Sequence, residues 1–142
     1  MLFRSISKEY EPIMVKKNLT INLQIKDERL NMSKTAFRKL FSNLISNAVK
    51  YSDQNSTIQI YVKNGWLRIE NNCDPIKKSR IPALFKLFYN KEGSTINNID
   101  TDRNSNGVGL FVVKNILDFY KIKYKFEPTK SGMVFAIELR HN

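Results

Sequence analysis

Asn43 and Asn47 stand four residues apart in the stretch Asn43-Leu-Ile-Ser-Asn-Ala-Val-Lys-Tyr-Ser52, with Lys50 and Tyr51 one turn further on. On a helix, spacings of three and four residues place side chains on one face. Asn43, Asn47 and Lys50 then form a polar stripe beside the apolar residues Leu44, Ile45 and Ala48. An amide oxygen is a hard, neutral ligand suited to Mg²⁺. That ion takes few protein ligands and completes its shell with water and substrate phosphates. A lysine one turn on supplies a point charge to the same phosphates. The plainer use of such amides is to cap local backbone or face water, and spacing alone does not separate the two. A second pattern, Asn106-Gly-Val-Gly-Leu, precedes an apolar run. There Gly107 and Gly109 would let backbone approach a phosphate where a helix begins, with free N–H groups and the helix dipole favouring an anion.

These residues need elements to hold them. Phe37, Leu40, Phe41, Leu44, Ile45 and Ala48 cover one contiguous face at 100° per residue. They predict a core-facing helix over 34–51 with Ser33 as its N-cap. Residues 5–17 read as a short helix that Pro12 either ends or restarts. Alternation predicts strands over 19–25 and 56–63, and 28–33 reads as a short strand or turn. Asn64-Gly65 then turns the chain into a second hairpin strand, 66–70. A short helix entered through Pro82 is expected over 78–90, a long polar loop over 91–107 and a helix over 108–120. A final hairpin is expected across Pro128–Gly132. This order predicts an α+β two-layer sandwich, and a loop of that length in a compact domain is usually functional or disordered.

Composition bounds the rest. A length of 142 residues suits one domain over 1–142, and 42% hydrophobic content with nine Phe, six Tyr and one Trp predicts a packed core. No run of about 18 apolar residues exists to span a membrane. The lone Cys73 cannot form an internal disulfide, as expected in a reducing compartment. The net charge of +11 suits nucleic acid, an anionic membrane surface, an acidic partner or simply a lysine-rich soluble surface. Lysines outnumber arginines 17 to 7 and are scattered, which argues against a specific nucleic-acid reader.

Residues 43–52 resemble the N-box of the ATP-binding catalytic domain of sensor histidine kinases, in the gyrase–chaperone–kinase–mismatch-repair (GHKL) ATPase superfamily. Phe85 and Phe88 resemble its Phe-x-x-Phe box, and 106–117 its second glycine box. The resemblance covers residues 5 to 140. It implies the Bergerat fold: a mixed sheet, helices on one face, and a long ATP lid, here 91–106. It implies ATP and Mg²⁺ as cofactors. Asn47, assisted by Asn43, would hold the metal, and Lys50 and Tyr51 would contact phosphates and nucleotide. Gly107, Val108, Gly109 and Leu110 would form the phosphate loop, with Arg103 as a lid cation.

One box departs. Where the family has Asp-x-Gly-x-Gly, this chain has Asn71-Asn-Cys-Asp-Pro75 followed by Ile76. Asn71 stands at the position of the adenine-binding Asp, and Cys73 and Pro75 at the two glycines. An amide oxygen still accepts from the adenine amino group. Asp74 is the fallback partner if the register slips, and weak nucleotide binding with a regulatory role is the alternative function. Hydrolytic relatives carry Glu one turn before the metal Asn as a general base. Asn43 has no such basicity, which favours transfer to a histidine. The only histidine, His141, follows the last strand. The acceptor is therefore expected on a separate dimerisation domain of a longer, membrane-anchored sensor. This domain would lie on the cytoplasmic side, with a response regulator downstream.

Overall fold

The computed structural model describes residues 2–25, 31–86 and 101–139, and the side chains of 2, 3 and 101–108 lie outside the description. Helices α1 (Leu2–Lys8) and α2 (Glu11–Lys17) lead into strand β1 (Thr20–Gln24). Pro12 sits in the first turn of α2, where its missing N–H costs nothing, so it begins that helix rather than ending α1. Helix α3 (Lys34–Tyr51) starts at Ser33, whose hydroxyl accepts from the Ala36 N–H at 3.1 Å. Strands β2 (Thr57–Lys63) and β3 (Trp66–Asn72) follow, then a 3₁₀ turn (Lys78–Arg80) and the short helix α4 (Ile81–Leu84). Helix α5 (Thr101–Phe119) and strands β4 (Tyr124–Pro128) and β5 (Gly132–Glu138) complete the order.

Among the described residues, five strands form one mixed sheet in the order β1-β2-β3-β5-β4. Only β1 and β2 run parallel, joined across α3, and the other pairs are antiparallel. The β2–β3 turn is made by Asn64 and Gly65 at φ 54° and 79°, the left-handed pair that a tight hairpin requires. One sheet face is apolar: Ile60 pairs with Ile69, Leu67 with Ile137 and Ile69 with Phe135. Against it pack Leu40, Phe41, Leu44, Ile45, Ala48 and Val49 of α3, with Leu110, Val113 and Leu117 of α5 and Ile6 of α1. The opposite face carries polar ladders, including Thr20 with Thr57 and Asn22 with Gln59, each 2.8 Å apart.

Of the short strand or turn expected over 28–33, Asn31 and Met32 lie in a bend, which is the turn option, and 28–30 fall outside the described residues. Two expectations need correction. Helix α4 ends at Leu84, short of the expected span, and 87–90 lie outside the description. Helical backbone begins at Thr101, not at 108, and residues 91–100 lie outside the described residues. The reason is helix propagation. Once Leu110, Val113 and Leu117 are packed, each residue added at the open end gains a hydrogen bond with no new nucleation cost. Lack of apolar residues does not stop a helix that runs beyond its packed segment.

Candidate functional site

An open cleft of about 210 Å³ lies between the C-terminal half of α3, the end of β3 and the first described buried turn of α5. Its floor is apolar: Ile69 of β3, Phe126 of β4, and Met133 and Phe135 of β5, with Leu84 and Leu110 at the sides. Strand parity builds the polar wall. Leu67, Ile69 and Asn71 alternate onto one face of β3, and the first two are buried. Asn71 is the point where that face turns polar, opposite Met133 in the register. From α3, Leu44, Asn47, Ala48 and Tyr51 line the other side. These four span about 100° of the helix surface.

Gly109 brings α3 and α5 together. A Cβ there would lie 3.3 Å from Asn43 Oδ1 and 3.5 Å from Asn47 Oδ1. The missing side chain thus makes room for two amide oxygens at one point. Asn43 is oriented by its own Nδ2, which donates to the Lys39 carbonyl at 2.7 Å and leaves the oxygen turned to Gly109. The amide of Asn47 makes no hydrogen bond among the described residues. An interior helical position has its N–H engaged in the helix, so Gly109 serves close approach here rather than offering a free N–H as expected.

The base of α3 is pinned from outside the cleft. Lys17 Nζ donates to the carbonyls of Val49 at 3.0 Å and Lys50 at 2.7 Å, capping the last turn. Burial lowers the Lys17 pKa from its ordinary 10.5, and the nearby Asp53 carboxylate opposes that shift. Asp53 lines the cleft, and its N–H donates to the Asn72 carbonyl at 2.7 Å, tying the end of α3 to the end of β3.

Of the residues singled out in the sequence, Asn47, Tyr51, Asn71, Asp74, Ile76 and Leu110 meet in the cleft. Asn43 and Gly109 adjoin it through the contacts above. Lys50 does not line it. At 100° per residue Lys50 lies about 60° round the helix from Asn47, on the far side from Leu44 and Ala48. Phe85 does not line the cleft either. It packs behind the floor, with ring centroids 6.0 Å from Tyr124, 6.1 Å from Phe126 and 6.3 Å from Phe135. Phe88 lies outside the described residues, as do the side chains of Arg103 and Val108 and the surroundings of Gly107. Sequence reasoning missed Lys17, Asp53 and the floor on β4 and β5. Asp53, two residues past Tyr51, was within reach of the helix pattern, whereas Lys17 carried no signal.

A model of the histidine kinase-, DNA gyrase B-, and HSP90-like ATPase family matches residues 32–142. The chain belongs to that family. Within this ATPase family, it is 39% identical over 136 residues to the sensor histidine protein kinase HK06 of Streptococcus pneumoniae, covering 94% of this chain and 29% of that protein. It is 33% identical over 103 residues to the heme sensor protein HssS of Staphylococcus haemolyticus, covering 69% of this chain and 21% of that one. The chain therefore spans under a third of the curated relatives it matches. The fold is shared with solved histidine kinases. For Acinetobacter baumannii AdeS the TM-score is 0.74 at 22% identity, covering 99% of this chain and 64% of that one. For the catalytic domain of ThkA it is 0.72 at 22%, covering 97% and 90%. The expected mixed-sheet GHKL fold is thus borne out, and the chain is an ATPase domain of the histidine kinase type. No helix among the described residues is long and apolar enough to cross a membrane.

The donor set of this ATPase domain suits a metal held jointly with a ligand. No three His, Cys, Asp or Glu side chains gather among the described residues. Two neutral amide oxygens at Gly109 are too few to hold a divalent ion alone, and they fit Mg²⁺ that brings water and phosphate oxygens with it.

Proposed function

We propose that this domain binds ATP with Mg²⁺ in the cleft and donates the γ-phosphoryl group to a histidine on a separate dimerisation domain of a longer sensor kinase. The observation that carries the reading is the convergence of Asn43 and Asn47 from α3 on the glycine face of α5, beside an apolar slot ending in Asn71. Bound Mg²⁺ would neutralise phosphate charge, held by Asn47 and, from the adjoining position, Asn43. Ile69, Met133 and Phe135 offer the base an apolar floor, and Asn71 offers its edge a donor and an acceptor. Tyr51 closes the same side. Lys50 stands further round the helix, at a place suited to phosphates that project from the cleft rather than to the base.

Absence of a base on α3 supports transfer over hydrolysis. No Asp or Glu occurs between Lys34 and Ser52, and Asn43 occupies the turn before Asn47. An amide cannot take a proton from water at neutral pH, whereas a histidine acceptor brings its own lone pair. The chain's part is then positioning and charge placement. A response regulator would receive the phosphoryl group downstream, and contact with a membrane would come only through the parent protein, with this domain on its cytoplasmic side.

A second reading has one observation behind it. Cys73 lines the cleft and Pro75 follows it, at positions where the family box has glycine. A domain that binds nucleotide weakly and acts through protein contacts fits that change. Calorimetric titration of the domain with ADP and a non-hydrolysable ATP analogue, with and without Mg²⁺, separates the two. Binding of about −5 to −8 kcal/mol, strengthened by Mg²⁺, is expected. No heat at millimolar nucleotide from a folded sample would leave the regulatory reading in place.

A further inference from the structure

Asn71 ends an otherwise apolar strand face, and its backbone is fixed in the sheet against Met133. Its side chain lines the cleft and makes no hydrogen bond among the described residues. We infer that the cleft accepts guanine as readily as adenine, with Asn71 serving either purine by turning its amide over. The inference rests on the nucleotide-binding reading above.

Adenine presents an amino donor at C6 and an acceptor at N1. Guanine presents the reverse, an acceptor O6 and a donor N1–H. An ionised carboxylate only accepts, so it takes one bond from either base, from the adenine amino group or from guanine N1–H, and meets a lone pair at the other position. An amide carries both functions. With Oδ1 toward the adenine amino group, Nδ2 donates to N1. Rotated by half a turn, Nδ2 donates to O6 and Oδ1 accepts from N1–H. Each arrangement makes two hydrogen bonds. The terminal Asn torsion is broad and roughly two-fold, so the rotation itself costs little. No hydrogen bond to another described residue holds the amide in one orientation. The apolar floor of Ile69, Phe126, Met133 and Phe135 has no group that distinguishes the two ring systems.

Two acids also line the cleft, Asp53 and Asp74. Neither can bond to O6, but either could accept from the 2-amino group that guanine has and adenine lacks. Hypoxanthine separates the effects, because it has O6 and N1–H without the 2-amino group.

The test titrates the unaltered domain with ADP, GDP and IDP, each with Mg²⁺, by calorimetry. Dissociation constants within about tenfold of one another are expected, since two neutral hydrogen bonds are made in each case. Asn71→Ala removes both bonds and is expected to weaken ADP, GDP and IDP alike, each by tenfold or more. Binding of ADP with GDP and IDP both a hundredfold weaker would overturn the inference and leave the nucleotide reading intact. Retention of GDP with loss of IDP would assign guanine recognition to the acids and overturn the role of Asn71. Unchanged affinity for all three nucleotides in a folded Asn71→Ala domain would do the same. Failure of all three nucleotides to bind a folded domain would remove the nucleotide reading, and this inference with it. The three-nucleotide comparison needs no variant, so it stands even if Asn71→Ala does not fold.

Discussion

Gly109→Ala should separate stability from function, because the two respond to the same methyl group in opposite directions. Gly109 is buried in the interior of the 19-residue helix α5. Replacing an interior helical glycine by alanine favours the helix by about 1 kcal/mol, mostly through backbone entropy. The new Cβ would meet Asn43 Oδ1 at 3.3 Å and the Asn47 amide at 3.5 and 3.6 Å. Those contacts are tight but not prohibitive, and the amides must retreat by a few tenths of an ångström. Asn43 is held by its bond to the Lys39 carbonyl, so part of the helix gain is lost in moving it. The net effect on folding should lie between about 0 and 1 kcal/mol of stabilisation. That corresponds to a rise in Tm of no more than about 4 °C for a domain of this size. Binding should move the other way. The methyl group occupies the space beside the two proposed metal-binding oxygens, and sites of this kind tolerate displacements of only about 0.5 Å. A loss of about tenfold in affinity for Mg²⁺–ADP, with little change in metal-free ADP binding, is the expected result. The assays are thermal unfolding followed by circular dichroism, and calorimetric titration with and without Mg²⁺. A variant destabilised by more than about 2 kcal/mol would refute the helical packing at Gly109. A variant with unchanged Mg²⁺ dependence would refute the assignment of the amides.

Asn47→Ala should keep its fold by circular dichroism, since the side chain borders the core rather than filling it, yet lose the Mg²⁺ enhancement of nucleotide binding. An unfolded variant would count against that placement. Phe85→Ala should cost about 1–3 kcal/mol in urea denaturation, because Phe85 is partly buried against three rings, while nucleotide affinity falls far less. A large affinity loss with stability intact would mean that the ring contacts ligand directly. The hydroxyl of Tyr61 donates to the Glu70 carboxylate on the opposite sheet face. Burial, chiefly, and that bond push its pKa from an ordinary 10.0 up to about 12. Between those values the folded state holds a proton that the unfolded state has released, so this contribution to stability is full below pH 10 and declines toward pH 12. Urea denaturation across that range should show a shallower decline for Tyr61→Phe, and identical slopes would refute the linkage.

Much of this fold was legible because local chemistry and tertiary position agree. Ser33 caps α3 as its type predicts, and Asn64-Gly65 turns the hairpin because both residues tolerate positive φ. The apolar face of α3 came from periodicity alone, with Val49 the one buried addition and Phe37 only half-buried. The start of α5 was not legible, since its first residues carry no apolar signal and follow the packed segment behind them. The two sides of the cleft were partly legible. Asn47, Tyr51 and Asn71 sit on recognisable patterns, but a floor built from β4 and β5 depends on which strands become neighbours. Lys17 was opaque for the same reason: its partners are backbone carbonyls 32 and 33 residues away, and any lysine could have found them. The stripe of Asn43, Asn47 and Lys50 was correctly placed on one side of the helix, yet the cleft opens on only part of it.

The strand order has a consequence for how the chain is made. Of the five described strands, β5 leaves the ribosome after the other four, yet it sits between β3 and β4 and hydrogen-bonds to both. Until it emerges, β3 has one open edge and β4 has no partner. Met133 and Phe135, half of the cleft floor, are also still missing at that stage. With nucleotide in this cleft as proposed, a nascent chain could not use it to hold itself together. A ligand of the cleft would stabilise only the finished sheet, and the exposed edge of β3 is the surface that a growing chain must keep from pairing wrongly.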